Sequence, residues 1–263
     1  MSSLEFLALA MASWALAAAA LQLYGGLAGR ASLGHALFLL LGAYAGAWLR
    51  PSVGLGMLGA LAFGAIAGAA LSLLGQHMRR AEFALLTLAV GLGFEHVALR
   101  WAPLGGRPGL AQTAVQLPLG VWLLGAGAGV VFIALLAGTA WGDRLHLARE
   151  TPKRARRYGL RPQRDQTIAL MVGGAFAALA GWIAMSQSAR VGGASFSFID
   201  SLEFYALLRL GKPRGVLSAA LRASAWIGLE HVCRPWPGLG PLLLTVVALG
   251  YLASQNVRRA EAL

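Results

Sequence analysis

Apolar residues recur along this chain in blocks about one bilayer wide, separated by short clusters of charge, glycine and proline. The blocks fall near 4–24, 32–49, 55–75, 81–99, 117–140, 166–186, 216–232 and 241–256, with a shorter apolar piece at 199–209. A helix needs roughly 20 largely apolar residues to cross a bilayer core. Backbone polar groups cannot stay unpaired in hydrocarbon, so the blocks are expected to be helical. The polar–apolar alternation of a β-barrel strand is almost missing from them. The pattern therefore predicts an all-α, polytopic transmembrane helix bundle forming one domain over 1–263. It has eight spans, or nine if 199–209 crosses as a tilted or half-length helix. Phe6 to Tyr24 has the look of a signal sequence, but Glu5 is its only flanking charge, and it is read as a retained first helix.

Composition agrees: 58% of residues are hydrophobic and 12% charged, with a mean hydropathy of +0.66. A soluble domain carries roughly 25% charged residues. The net charge of +12 sits mostly between the blocks. With nine crossings, Arg30, Arg79, Arg80, the basic residues of 144–164 and those at 209–214 share one side. The positive-inside rule makes that side cytoplasmic, including Gly142 to Asp165. The charge thus reads as topology, not as a nucleic-acid surface. Arginine predominates over lysine and alanine and glycine abound, which suggests a GC-rich bacterial genome. A single cysteine, Cys233, excludes an intrachain disulfide and a cysteine metal cluster. No G-x-x-x-x-G-K-S/T cradle and no H-E-x-x-H or Ser/His/Asp arrangement is present, so no catalytic residue or cofactor is expected.

Small residues recur at spacings of four, as at Gly42 and Gly46 or Gly64 and Gly68, which lets helix backbones approach closely. Ser32 and His35 stand three apart at the start of the second block, on one face if the helix begins there. Such a polar pair either lines a route through the bundle or caps the helix and bonds a neighbour. Glu203 and Arg222 are the other isolated intramembrane charges. Residues 93–101 and 228–236 echo each other, GFEHVALRW and GLEHVCRPW, at an offset of 135. Glu95, His96, Glu230 and His231 make poor metal ligands, because adjacent helical residues point about 100° apart. A duplication, paired gate elements, partner contacts or ordinary packing would each produce the echo.

Between Gly142 and Asp165 the chain carries its densest basic run. Thr151 before Pro152 reads as a helix start, Lys153 to Tyr158 as one to two turns, and Gly159 as the left-handed stop. Within it Ala148, Arg149, Glu150, Ala155, Gly159 and Leu160 resemble the A-x-R-E-N…A…L-G-I coupling loop of ABC-transporter permeases of the branched-chain amino acid type. GGLAGRASLGHALFLLLGAYAGAWL (25–49) resembles that family's G-x-A-G-Q-x-S-L-G-H-A-x-F-x-x-x-G-A-Y, with Arg30 in place of Gln. RRAEFALLTLAVG (79–91), with Phe83, Ala84, Thr87, Leu88 and Ala89, and LGGRPGL (104–110) follow in the family's order. The family's late glycine-rich turn is here Arg209-Leu-Gly-Lys-Pro-Arg-Gly215.

That resemblance implies a permease subunit of a bacterial ABC importer in the inner membrane. It implies a second permease subunit, cytoplasmic ATP-binding subunits and an extracytoplasmic solute-binding protein as partners. The solute would be a branched-chain amino acid, urea or a short amide. Ser32, Gly34, His35, Gly42 and Thr87 are then expected along the substrate pathway, and Ala148 to Leu160 against the ATPase. The alternative from the residues alone is an ion- or proton-coupled carrier, or a membrane enzyme, whose basic loop only fixes topology.

Overall fold

The structure is a computed structural model that describes residues 2–49, 52–112, 115, 117–210 and 215–235, with Leu242, Leu243 and Val246 beyond them. Ten helices follow one another among these residues. They are α1 (Ser3–Leu21), α2 (His35–Trp48), α3 (Val53–Leu74), α4 (Arg80–Arg100), α5 (Leu119–Ala137), α6 (Ala140–Glu150), α7 (Pro152–Arg157), α8 (Pro162–Met185), α9 (Phe198–Arg209) and α10 (Val216–Cys233). A two-residue antiparallel pairing, β1 (Leu110–Ala111) with β2 (Arg190–Val191), ties the α4–α5 and α8–α9 connections together.

Among the described residues, five helical stretches are long and apolar enough to cross a bilayer: Ser3–Leu27, Val53–Leu74, Arg80–Arg100, Leu119–Ala137 and Pro162–Met185. The expected count of eight or nine is therefore reached only in part. The 32–49 block yields a helix of 14 residues and the 199–209 piece one of 12, while 241–256 falls largely outside the described residues.

The core forms around α1 and α8. α8 packs against α1, α2 and α3, and α1 packs against α10, α8 and α5. From Leu16 to Ala28, α1 and the turn after it are almost wholly buried, which places the first apolar block at the centre of the bundle. Without a hydrophobic driving force between helices in lipid, such contacts depend on close van der Waals packing. Small residues supply it: Gly173 of α8 lies against α1, where an added Cβ would meet the Ala20 carbonyl at 2.9 Å. By contrast α4 leaves most of its surface open, with only Phe83, Thr87 and Ala98 buried.

Two departures from the expected elements matter for function. Gly142 to Asp165 is not a loop with one short helix, because α6 already occupies Ala140–Glu150 and α7 follows after a single residue. Thr151 does precede Pro152, but its hydroxyl donates to the Leu147 carbonyl instead of capping α7. The stop is as expected: Gly159 adopts φ 75°, and the Leu160 N–H closes back on the Ala155 carbonyl at 3.1 Å.

Candidate functional site

The second departure concerns the start of α2. Ser32 lies outside the helix, so Ser32 and His35 do not share a helix face. Residues 29–34 run as irregular backbone beside α4, and Gly34 is the residue from which α2 begins. Irregular backbone at membrane depth survives only when protein supplies its partners. Three hydroxyls do so here. The Leu33 N–H donates to Thr87 Oγ1 at 3.2 Å, the Gly34 N–H to Ser32 Oγ at 3.1 Å and the Ala36 N–H to Ser201 Oγ at 2.8 Å. Gly34 touches the α4 backbone, and a Cβ there would collide with the Thr87 carbonyl.

His35 is fully buried and engaged at both ring nitrogens. A carbonyl only accepts, so Nε2 carries the hydrogen given to the Ala17 carbonyl at 3.1 Å. Nδ1 then accepts from the Tyr24 hydroxyl at 2.6 Å. The ring stands edge-on to Phe204 with centroids 4.9 Å apart. His35 thereby joins α1, α2 and α9 in one interior knot. Of the expected pathway residues, Ser32, Gly34, His35 and Thr87 come together here, while Gly42 lies further along α2 against the Ala178 backbone. The nearest cavity, between α2, α4 and α9, is lined by Gly34, Gly91, Glu95 and Ser201 and measures about 10 Å³, room for a single water.

A hydroxyl removed from this knot strands a backbone N–H inside the bundle, which costs about 1–3 kcal/mol. Thr87→Val and Ser201→Ala are each expected to lower the thermal unfolding midpoint of the purified chain, and Thr87→Ser to keep most of it. Equal midpoints for Thr87→Val and wild type would show that the bond to Leu33 carries no stability.

At the basic end of the bundle, α1 does not stop at Leu21 but continues as a π turn, Gln22–Leu27. Such turns are rare and frequent at functional positions. Gly29, at φ 71°, ends it with the Arg30 N–H on the Tyr24 carbonyl. Arg149, the last-turn residue of α6, reaches this turn: its guanidinium donates to the Gly26 carbonyl. Its stem lies on Gly29, where an added Cβ would meet Arg149 Cγ at 2.8 Å. In turn the Arg149 carbonyl accepts from Arg80 Nη2 at 2.6 Å. Burial lowers the pKa of Arg149, and the nearby cations of Arg80 and Arg209 add to that against the opposing Glu150. Three positive groups therefore converge where α6 meets α1.

Ala148 and Ala155 are buried anchors of α6 and α7, whereas Glu150 and Gly159 are exposed and Leu160 is half-buried. Lys153, Arg154, Arg156 and Arg157 point away from the bundle as an exposed basic rim. Arg30, the departure from the family pattern, braces the same end. It donates to the Gly75, Gln76 and Met78 carbonyls at 3.0–3.3 Å, filling acceptors left open where α3 ends, and stacks over the Phe83 ring. Of the late turn read at Arg209 to Gly215, residues 211–214 lie outside the described residues.

At the opposite end, carboxylates gather around α9. The Phe198 N–H donates to Glu95 Oε2 at 3.3 Å, and Asp200 accepts from the Ser197 N–H and hydroxyl. Glu203 accepts from Trp226 Nε1 at 2.9 Å, and Glu230 lies within electrostatic reach of Asp200 and Glu203. One glutamate of each echoed segment thus addresses α9. Tyr24, Ala17, Ser201 and Gly26 were not singled out in the sequence; Ser201 bonds a partner 165 residues away, and no local pattern signals that.

No curated protein and no solved structure is detectably similar to the chain. Residues 3–222, in contrast, match the family described as branched-chain amino acid transport system / permease component, over the whole stretch holding the α2 start, the π turn and the α6–α7 segment. The chain belongs to this family of membrane transport permeases.

Proposed function

We propose that this chain is the permease subunit of a bacterial ABC importer in the inner membrane, moving a branched-chain amino acid, urea or a short amide with ATP hydrolysed by a partner. It works beside a second permease subunit and receives solute from an extracytoplasmic binding protein. The observation that carries the mechanism is the bond from Arg149 to Gly26, which ties the basic α6–α7 segment to the π turn of the central helix. A push on Ala148–Leu160 by the ATPase reaches α1 directly through this bond. From α1 it passes to α2 and α9 through Tyr24 and His35. A π turn interrupts the regular α ladder and recurs at functional sites, which makes it the place where α1 changes course. Transport then follows from differential stabilisation of two arrangements of the bundle by ATP, not from chemistry on the solute.

In this reading Ser32, Gly34, His35, Gly42 and Thr87 shape the route from behind. Ser32, Gly34, His35 and Thr87 hold the α2 start in place and Gly42 seats α2 against α8, which leaves the contact with solute to the faces of α2, α4 and α9 around Glu95. Co-purification tests the assembly. The tagged chain is expected to bring down an ATP-binding subunit, and Glu150→Lys, at an exposed position of the segment, to reduce that yield and solute uptake together. Absence of any ATPase, with uptake intact in the variant, would overturn the importer reading.

A further inference from the structure

We infer that the basic end carries a discrete binding site for the phosphate headgroup of an anionic lipid, in the cavity between α6 and the start of α8. The cavity measures about 380 Å³ and is lined by Trp141, Arg144, Arg161, Arg164, Asp165 and Ile168. That volume lies within the roughly 300–1,000 Å³ range of small-ligand sites. Three guanidiniums face one carboxylate, so the lining is cationic. Among the described residues, Arg161 and Arg164 make no ion pair, although α8 carries Asp165 beside them. Cations brought to one concavity and left unneutralised fit an anion, and arginine suits the tetrahedral oxygens of phosphate by bidentate donation.

The other lining residues decide the source of the phosphate. Trp141 opens α6 just past the apolar α5, and Ile168 stands where α8 enters its apolar run. Trp is a side chain of the membrane–water boundary, and basic cavities between helices at that level hold anionic headgroups. A diester in the cavity would keep its charge on the arginines and its acyl chains against Ile168 and the open flank of α5. A free phosphate would leave Trp141 and Ile168 wet. The site is distinct from the diffuse attraction of the exposed α7 arginines, and it rests on no assumption about an ATPase or a solute.

The test uses the full chain purified in neutral detergent, with phosphatidylglycerol, phosphatidylcholine or inorganic phosphate added. Phosphatidylglycerol is expected to raise the unfolding temperature and phosphatidylcholine to leave it unchanged. R161Q/R164Q is expected to bind phosphatidylglycerol about thirtyfold more weakly, the loss of two cations near an anionic surface. R154Q/R157Q, which removes as much charge from α7 outside the cavity, is expected to keep the response. Equal loss in both double variants would reduce the effect to diffuse charge and overturn the site. Inorganic phosphate matching the lipid at equal concentration would reassign it to free anions and overturn the lipid. Should R161Q/R164Q fail to fold, mass spectrometry of lipid retained by the wild type decides: enrichment of anionic over zwitterionic species supports the site, and the bulk ratio overturns it. Displacement of the lipid response by a co-purified ATPase would mark the cavity as a protein contact instead.

Discussion

Valine at Gly42 or Gly181 is expected to abolish nearly all correctly assembled protein, whereas valine at Gly125 or Gly127 leaves the yield near that of wild type. All four are glycines within apolar helices, and in sequence they look alike. Their surroundings differ. A Cβ on Gly42 would overlap the Ala178 carbonyl of α8, and one on Gly181 would overlap the Leu39 carbonyl of α2. The obstacle on each side is backbone, which cannot rotate out of the way as a side chain tip can. The two helices would have to separate, and that would also open Gly64 and Gly68 of α3, which rest on Gly174 and Leu170 of the same α8. Overpacking costs about 1–3 kcal/mol when side chains can adjust, and more is expected where they cannot. Around Gly125 and Gly127 no atom lies within 4 Å of an added Cβ. Size-exclusion profiles of detergent-extracted, fluorescently tagged variants measure the difference. Monodisperse Gly42→Val at wild-type yield would show that the α2–α8 approach is not needed.

Arg149→Gln is expected to lower ATP-driven uptake by one to two orders of magnitude while the ATPase still co-purifies. A charge-assisted hydrogen bond contributes roughly 1.5–3 kcal/mol, and roughly 1.4 kcal/mol is a factor of ten. Glutamine is too short to reach the Gly26 carbonyl from α6 and carries no charge. The surfaces of α6 and α7 that would meet an ATPase, Glu150 and the α7 rim among them, stay unchanged. The two variants would separate docking from transmission: Glu150→Lys is expected to lower ATPase binding, and Arg149→Gln to remove the link to α1. Uptake at the wild-type rate in Arg149→Gln would show that force takes another path. Loss of the ATPase together with uptake would place Arg149 in the docking surface.

Several parts of this arrangement were legible in the chain. The helical class followed from blocks of apolar residues, because a bilayer offers the backbone no partner outside a helix. The left-handed stop at Gly159 was readable because its cause is local: a turn that only glycine adopts without strain. Helix starts were read less well. The expected span at 32–49 began three residues too early, since apolar character continues through Leu33 and Gly34 although their N–H groups are bonded to Thr87 and Ser32. Hydropathy responds to side chains and is blind to where a backbone donor finds its acceptor. Likewise 142–150 was read as part of a loop because of its charge, yet it folds within α6.

By itself the sequence determined the membrane-embedded helical class, the family and the position of the basic segment. These depend on composition and short-range pattern, which act within one or two turns of chain. Only the tertiary structure decided that His35 is an interior brace, that Arg30 closes the end of α3, and that Arg149 holds the π turn of α1. Each of those roles needs a carbonyl or hydroxyl from 11 to 123 residues away, brought within about 3 Å by helix packing. No periodicity along the chain encodes that distance, because the packing of the glycine and alanine seams sets it.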